Sequence, residues 1–316
     1  VTVLTLGFIP LTDCAPLVVA RDKGFFVAEG LDVILSREAS WATIRDKVTY
    51  GALDGAHMLG ALALAATLQA TRGREAMIAP LALNRNGAGL TVSRGLAEEI
   101  AATGSVGETL RRRDAPATFA VVYPYSIHNY LLRGWLAEAG LEPDRDVRIV
   151  VTPPQRMVEQ LADGRIDGFC AGAPWNAVAV QAGAGEMLAS SKGLLPGAPD
   201  KVLGLAEAWA VTHPETVAAL LRALVQAGAW ADEPGNRAEL IALLAAPGAV
   251  GAAPEAIAPA LEREIVFQRD EAGVPTTEDA LWILSRMQRW GQAPADTDPA
   301  IAERVYRADL LRKALG

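Results

Sequence analysis

Trp41-Ala-Thr-Ile-Arg-Asp-Lys-Val-Thr-Tyr-Gly51 runs into Ala-Leu-Asp54-Gly55, and Pro154-Gln-Arg-Met-Val-Glu-Gln-Leu-Ala-Asp-Gly164 runs into Arg-Ile-Asp167-Gly168. Each stretch reads as a helix, a glycine stop and a short strand opened by Asp-Gly. Two copies of one α/β unit predict two lobes of one design. Two such lobes would leave a cleft for a ligand.

Outward from the first copy, Val3 to Phe8 reads as a strand, followed by a helix from Ala15 to Phe26 with Thr12 or Asp13 as its N-cap. Leu31 to Leu35 alternates as a strand, Ser40 caps the Trp41 helix, and Asp54 to Leu59 is the third strand. Around the second copy the order repeats: strand Thr118 to Val122, cap Ser126, helix Ile127 to Ala139, strand Val147 to Val151, helix from Pro153-Pro154, and strand Ile166 to Ala171. Alternating strands and helices predict parallel βαβ units. Ile78 to Ser93 reads as one crossing between lobes, and Lys201 to Trp209 as the return. The expected division is 1–88 and 205–316 for lobe 1, with its helical tail, and 89–204 for lobe 2. Trp230, Trp282 and Trp290 of the tail read as packing residues.

The 316 residues are 51% hydrophobic and 21% charged, with a net charge of −8. That balance fits a globular chain and opposes a nucleic-acid surface, which needs clustered Lys and Arg. No run approaches the roughly 18 apolar residues of a transmembrane helix. Cys14 and Cys170 form neither a zinc pattern nor a disulfide framework.

In open α/β sheets ligands sit beyond the carboxyl ends of strands. Helix starts near Thr12, Ser40, Ser126 and Pro154 point there, and helix starts favour anions. Trp41 is either a packing aromatic or a wall for a small planar ligand, with its indole N–H as donor. His128, at a helix start, is either a solvated cap residue or a neutral donor to the ligand. His57 occupies the repeat position of Cys170 and is either a strand-end residue or a ligand contact. Lys201 is a solvated loop lysine unless that loop forms the return crossing, where an ammonium would neutralise a bound anion. No hydrolase, metalloprotease, P-loop or dinucleotide motif occurs. Asp54 and Asp167 are ordinary turn residues, and Cys14 lacks a base that would make it a nucleophile.

Gly7-Phe-Ile-Pro-Leu-Thr-Asp13, Lys23-Gly-Phe-Phe, Arg37-Glu-Ala-Ser-Trp41-Ala-Thr-Ile-Arg-Asp-Lys47, Leu53-Asp-Gly-Ala-His-Met58, Ser126-Ile-His128-Asn, Gly172-Ala-Pro-Trp175-Asn and Lys201-Val-Leu-Gly resemble the nitrate- and bicarbonate-binding receptors of ABC importers. The resemblance implies the type II periplasmic-binding-protein fold: α/β, two lobes and two interlobe crossings. It implies a binding protein and no enzyme, closing on nitrate or nitrite through Trp41, Asn86, His128, Pro154 and Lys201. Bicarbonate-binding relatives carry an acid and a metal ion at the position of Lys201, so lysine there implies a monovalent anion with no metal and no cofactor. Ala173, where transport receptors have a glutamate, resembles the cytoplasmic nitrate-sensor branch, as does the missing lipoprotein start. The expected partner is therefore either a cytoplasmic antiterminator protein or an ABC permease, and the expected compartment the cytoplasm, with the periplasm as alternative. A receptor for a sulfonate or other organic anion is the second reading. An enzyme of the thiamine-pyrimidine synthase type is the third, against which the absence of a cysteine-rich motif counts.

Overall fold

The computed structural model describes residues 2–70 and 75–316. Ten strands are found among the described residues: β1 (Thr2–Phe8), β2 (Leu31–Arg37), β3 (Gly55–Leu59), β4 (Met77–Ala82), β5 (Ala88–Ser93), β6 (Thr118–Val121), β7 (Arg148–Val151), β8 (Gly168–Gly172), β9 (Gly185–Ser190) and β10 (Lys201–Ala206). They form two five-stranded sheets, ordered β2-β1-β3-β10-β4 and β7-β6-β8-β5-β9. In the first, β1 runs parallel to β2 and β3, while β10 is antiparallel to β3 and β4. The second repeats this, with β6 parallel to β7 and β8, and β5 antiparallel to β8 and β9.

The chain divides into two compact units. The first is Val1–Arg85, Pro199–Gly251 and Ile265–Gly316; the second is Asn86–Ala198 and Ala252–Glu264. Residues 201–204, expected in lobe 2, lie in the first sheet, because β10 hydrogen-bonds between β3 and β4. The helical tail was expected to belong wholly to lobe 1. Its Pro254–Arg263 helix instead buries Ala256, Ile257, Ala260 and Leu261 within the second unit. There it covers a cavity of about 140 Å³ also lined by Ala88, Asn176 and Met187.

The duplicated stretch folds the same way twice. The Trp41–Thr49 helix starts at Ser40, whose Oγ accepts from Thr43 N at 3.1 Å. The Pro154–Ala162 helix starts on proline, which has no amide to leave unpaired. Gly51 and Gly164 stop the two helices at φ +71° and +68°, a left-handed conformation that a Cβ disfavours. Asp54 Oδ2 then accepts Thr5 N at 2.7 Å, and Asp167 Oδ2 accepts Thr118 N at 2.8 Å. Each aspartate thus closes a parallel strand pair onto the residue 49 positions before it.

Three local expectations change. Neither Thr12 nor Asp13 caps a helix: a short 3-10 turn, Thr12–Cys14, precedes the Ala15–Asp22 helix, and Asp13 turns its carboxylate to other side chains. That helix does not reach Phe26, since Gly24 at φ +77° breaks it before a second helix, Phe25–Ala28. Ile78 to Ser93 is not one strand but β4 and β5, parted where Asn86 takes φ +59° and Gly87 φ +90°. Among the tail tryptophans, Trp230 carries Lys23 Nζ 5.1 Å above its ring, and Trp282 and Trp290 carry Arg286 and Arg289 at 4.9 and 4.8 Å. All three are half-buried anchors; Trp230 and Trp282 lie on helices as expected, whereas Trp290 is the residue that ends its helix.

Candidate functional site

In the first unit the carboxyl ends of β1 and β3 and the start of β10 bring four ionisable side chains together. Asp13 follows β1, His57 lies in β3, Lys201 opens β10 opposite Leu59, and Asp200 precedes it. Lys201 Nζ lies 2.8 Å from Asp13 Oδ2 and 2.7 Å from Asp200 Oδ2. His57 Nε2 lies 2.8 Å from Asp13 Oδ1, which assigns the imidazole proton to Nε2. Lys201 and His57 have no solvent exposure.

Charges this deep persist only when paired. Burial works against the Lys201 ammonium, but Asp13 and Asp200 more than offset it and raise its pKa. Burial also opposes ionisation of Asp13, yet Lys201 and His57 hold its carboxyl well below the usual range. For Asp200 burial wins: with the charge of Asp13 added, it outweighs Lys201 and pushes the carboxyl up to about 6. Burial lowers the His57 pKa despite Asp13, so the imidazole is neutral at pH 7. Two carboxylates and one ammonium then leave the cluster with one net negative charge.

Trp41 completes the group. It is the first residue of its helix and is 1% exposed. Its ring lies 5.5 Å from that of His57, and Lys201 Nζ stands 5.7 Å from its centroid. Trp41 Nε1 is buried with no hydrogen-bond partner among the described residues, as are Thr12 Oγ1 and His57 Nδ1. An indole N–H is an obligate donor, and leaving it unpaired in the interior costs about 1–3 kcal/mol. A small acceptor placed against it would remove that cost.

The second unit places neutral groups at the matching positions. Ala88 opens β5 opposite Gly172 just as Lys201 opens β10 opposite Leu59. Ser126 stands where Asp13 does, and Cys170 where His57 does. Ser126 caps the Ile127–Glu138 helix through Asn129 N at 3.1 Å. His128, second in that helix, is fully buried, and Pro154 is buried at the start of its own helix. Gln155 Oε1 and Trp175 Nε1 are buried without hydrogen-bond partners among the described residues. Asn86 is joined to Ala198 twice: its N donates to Ala198 O at 2.9 Å, and its Oδ1 accepts Ala198 N at 3.1 Å. It thereby ties together the two ends of the second unit's main segment.

Of the five residues singled out in the sequence, Trp41 and Lys201 meet in the first unit, while Asn86, His128 and Pro154 lie in the second. Lys201 was read either as a solvated loop lysine or, on the return crossing, as an ammonium that neutralises a bound anion. It is a buried strand residue whose charge two carboxylates already compensate. Asp13 and Asp200 were missed because an aspartate before a helix reads as a cap, and one after Ala-Pro as a turn. No group of three or more His, Cys, Asp or Glu suited to a metal ion occurs among the described residues. No helix among them is long and apolar enough to cross a membrane.

The NMT1-like family profile matches residues 1–245. The nitrate import ATP-binding protein NrtC of Synechocystis sp. is 38% identical over 98% of this chain and 49% of its own length. The chain thus spans about half the length of the curated relatives it matches first. The nitrate/nitrite binding protein NrtA of Synechococcus elongatus is 33% identical over 98% of this chain and 77% of that protein. The crystal structure of the periplasmic nitrate-binding protein NrtA from Synechocystis superposes with a TM-score of 0.94 at 31% identity, covering 99% of this chain and 88% of that one. That match confirms the type II periplasmic-binding-protein architecture of two α/β lobes. The chain belongs to the NMT1-like family and is a homologue of the nitrate/nitrite binding proteins NrtA.

Proposed function

We propose that this chain is a binding protein for a small monovalent anion, nitrate or nitrite, and performs no catalysis. The observation that carries the reading is the unpaired indole N–H of Trp41, buried beside Lys201 and His57. It offers a donor in a dry place to a ligand small enough to be an anion of few atoms. The proposed ligand residues are Trp41 and Lys201 in the first unit and Asn86, His128 and Pro154 in the second. Lysine at 201 supports binding without a metal ion.

The partner we propose is an ABC importer. The similar proteins are an importer's ATP-binding protein and binding proteins, and these favour it over the antiterminator suggested by Ala173. They likewise give no support to the cytoplasmic lean. The compartment follows from the partner, and an importer receptor like NrtA would work in the periplasm.

Titration calorimetry with nitrate, nitrite, methanesulfonate and bicarbonate, the last with and without calcium, tests the ligand. Saturable binding of nitrate or nitrite that EDTA leaves unchanged is expected. At a hundredfold excess over Kd, ligand should add about 2.7 kcal/mol of stability. Binding of methanesulfonate alone, or of bicarbonate only with calcium, would reject the proposal.

A further inference from the structure

We infer that the anion is taken up together with one proton, which goes to Asp200, so that the ligand replaces a carboxylate charge of the Asp13–Lys201–Asp200 cluster. The inference rests on the anion-binding reading above and adds the rule that governs it. Five titratable side chains meet at the cluster, and Arg21 and Arg37 act on Cys14 from farther away. Asp13 and Cys14 come from the turn after β1, His57 from β3, and Asp200 and Lys201 from the start of β10. The Cys14 thiol is held neutral by burial and by the charge of Asp13. With His57 neutral, the cluster is anionic before any ligand arrives. A second negative charge against Trp41 would therefore meet repulsion, because Lys201 Nζ is already within 2.8 Å of both carboxylates.

Neutralising one carboxylate removes the conflict. Asp13 is held by both His57 and Lys201 and keeps its charge. Asp200 is the weaker acid, at about 6, and a nearby anion raises it further. A solvent proton that binds an Asp200 carboxylate oxygen releases half of the Lys201 pairing to the ligand. The net charge of the cluster, ligand included, then stays where it was.

Calorimetry of nitrate binding near neutral pH, in chloride-free buffers of different ionisation enthalpy, counts the proton. About one proton taken up per nitrate is expected, with affinity falling about tenfold per pH unit above neutrality. Equal heats in all buffers, with a flat pH profile, would overturn the inference while leaving anion binding intact. In Asp200→Asn the proton uptake should vanish and the pH profile flatten. Undiminished uptake in that variant would move the proton to His57 and overturn the assignment. Should the variant not fold, the wild-type heats still decide. Absence of nitrate binding at every pH would instead reject the function on which the inference rests.

Discussion

Lys201 Nζ lies 2.8 Å from Asp13 Oδ2 although 188 residues separate them in the chain. One residue follows the first strand of the first sheet, and the other opens the last strand to enter it. The contact exists only because β10 returns to sit beside β3. Removing one member of such a buried pair strands the other charge. Asp13→Ala is therefore expected to cost about 3–5 kcal/mol in chemical denaturation. A loss below about 1 kcal/mol would show that Lys201 has another way to satisfy its charge.

The pH dependence of stability separates the two aspartates. Asp13 has a lowered folded pKa, so its contribution is present above the unfolded value of 3.8 and disappears in acid. Asp200 has the opposite sign. Its folded carboxyl keeps a proton that the unfolded chain has released, so stability falls as pH rises from 3.8 to about 6 and is level beyond. The effect is on the order of 2–3 kcal/mol. Asp200→Asn should gain on the wild type across that window. Parallel curves for the two proteins in urea denaturation against pH would contradict the assignment.

Trp41→Phe keeps an aromatic ring in the same place but removes the N–H. Nitrate affinity measured by calorimetry should fall about tenfold, the worth of one hydrogen bond to an anion. Thermal stability should fall little, since the indole N–H has no hydrogen-bond partner among the described residues to lose, and relief of its unpaired burial offsets the smaller ring. Equal affinity in the variant would exclude Trp41 as a donor to the ligand.

The repeat aspartates offer a paired test. Asp54→Ala and Asp167→Ala each remove an acceptor for one strand amide, and each should cost about 1–3 kcal/mol. The second should cost more, because Asp167 Oδ1 also pairs with Arg113 at 2.9 Å. Thermal or urea denaturation of the two variants side by side checks the order. Ser126→Ala should cost about 1 kcal/mol for the lost cap.

Much of the architecture was legible because it is written locally. The stops at Gly51 and Gly164, the caps at Ser40 and Ser126, and the Asp-Gly strand starts all act within a few residues. Their repetition across the chain therefore predicted two like units, and the identical strand orders bear this out. The break at Gly24 was missed because the apolar pattern of Phe25-Phe26 continues past it. The placement of Ala252–Glu264 was missed because nothing in an amphipathic helix names the surface that will cover it.

By itself, then, the sequence determined that there are two α/β units, the helix stops and Asp-Gly strand starts of the repeated stretch, and the family. Tertiary structure alone decided the charge at the candidate site. Asp13, His57, Asp200 and Lys201 are scattered along most of the chain, and each has a bland local reading as cap, strand residue, turn residue or loop lysine. Whether an ammonium stands alone or is compensated depends on what lies within about 4 Å of it, inside a medium that screens poorly. That distance is set by the return of β10 to the first sheet, and no run of neighbouring residues records it.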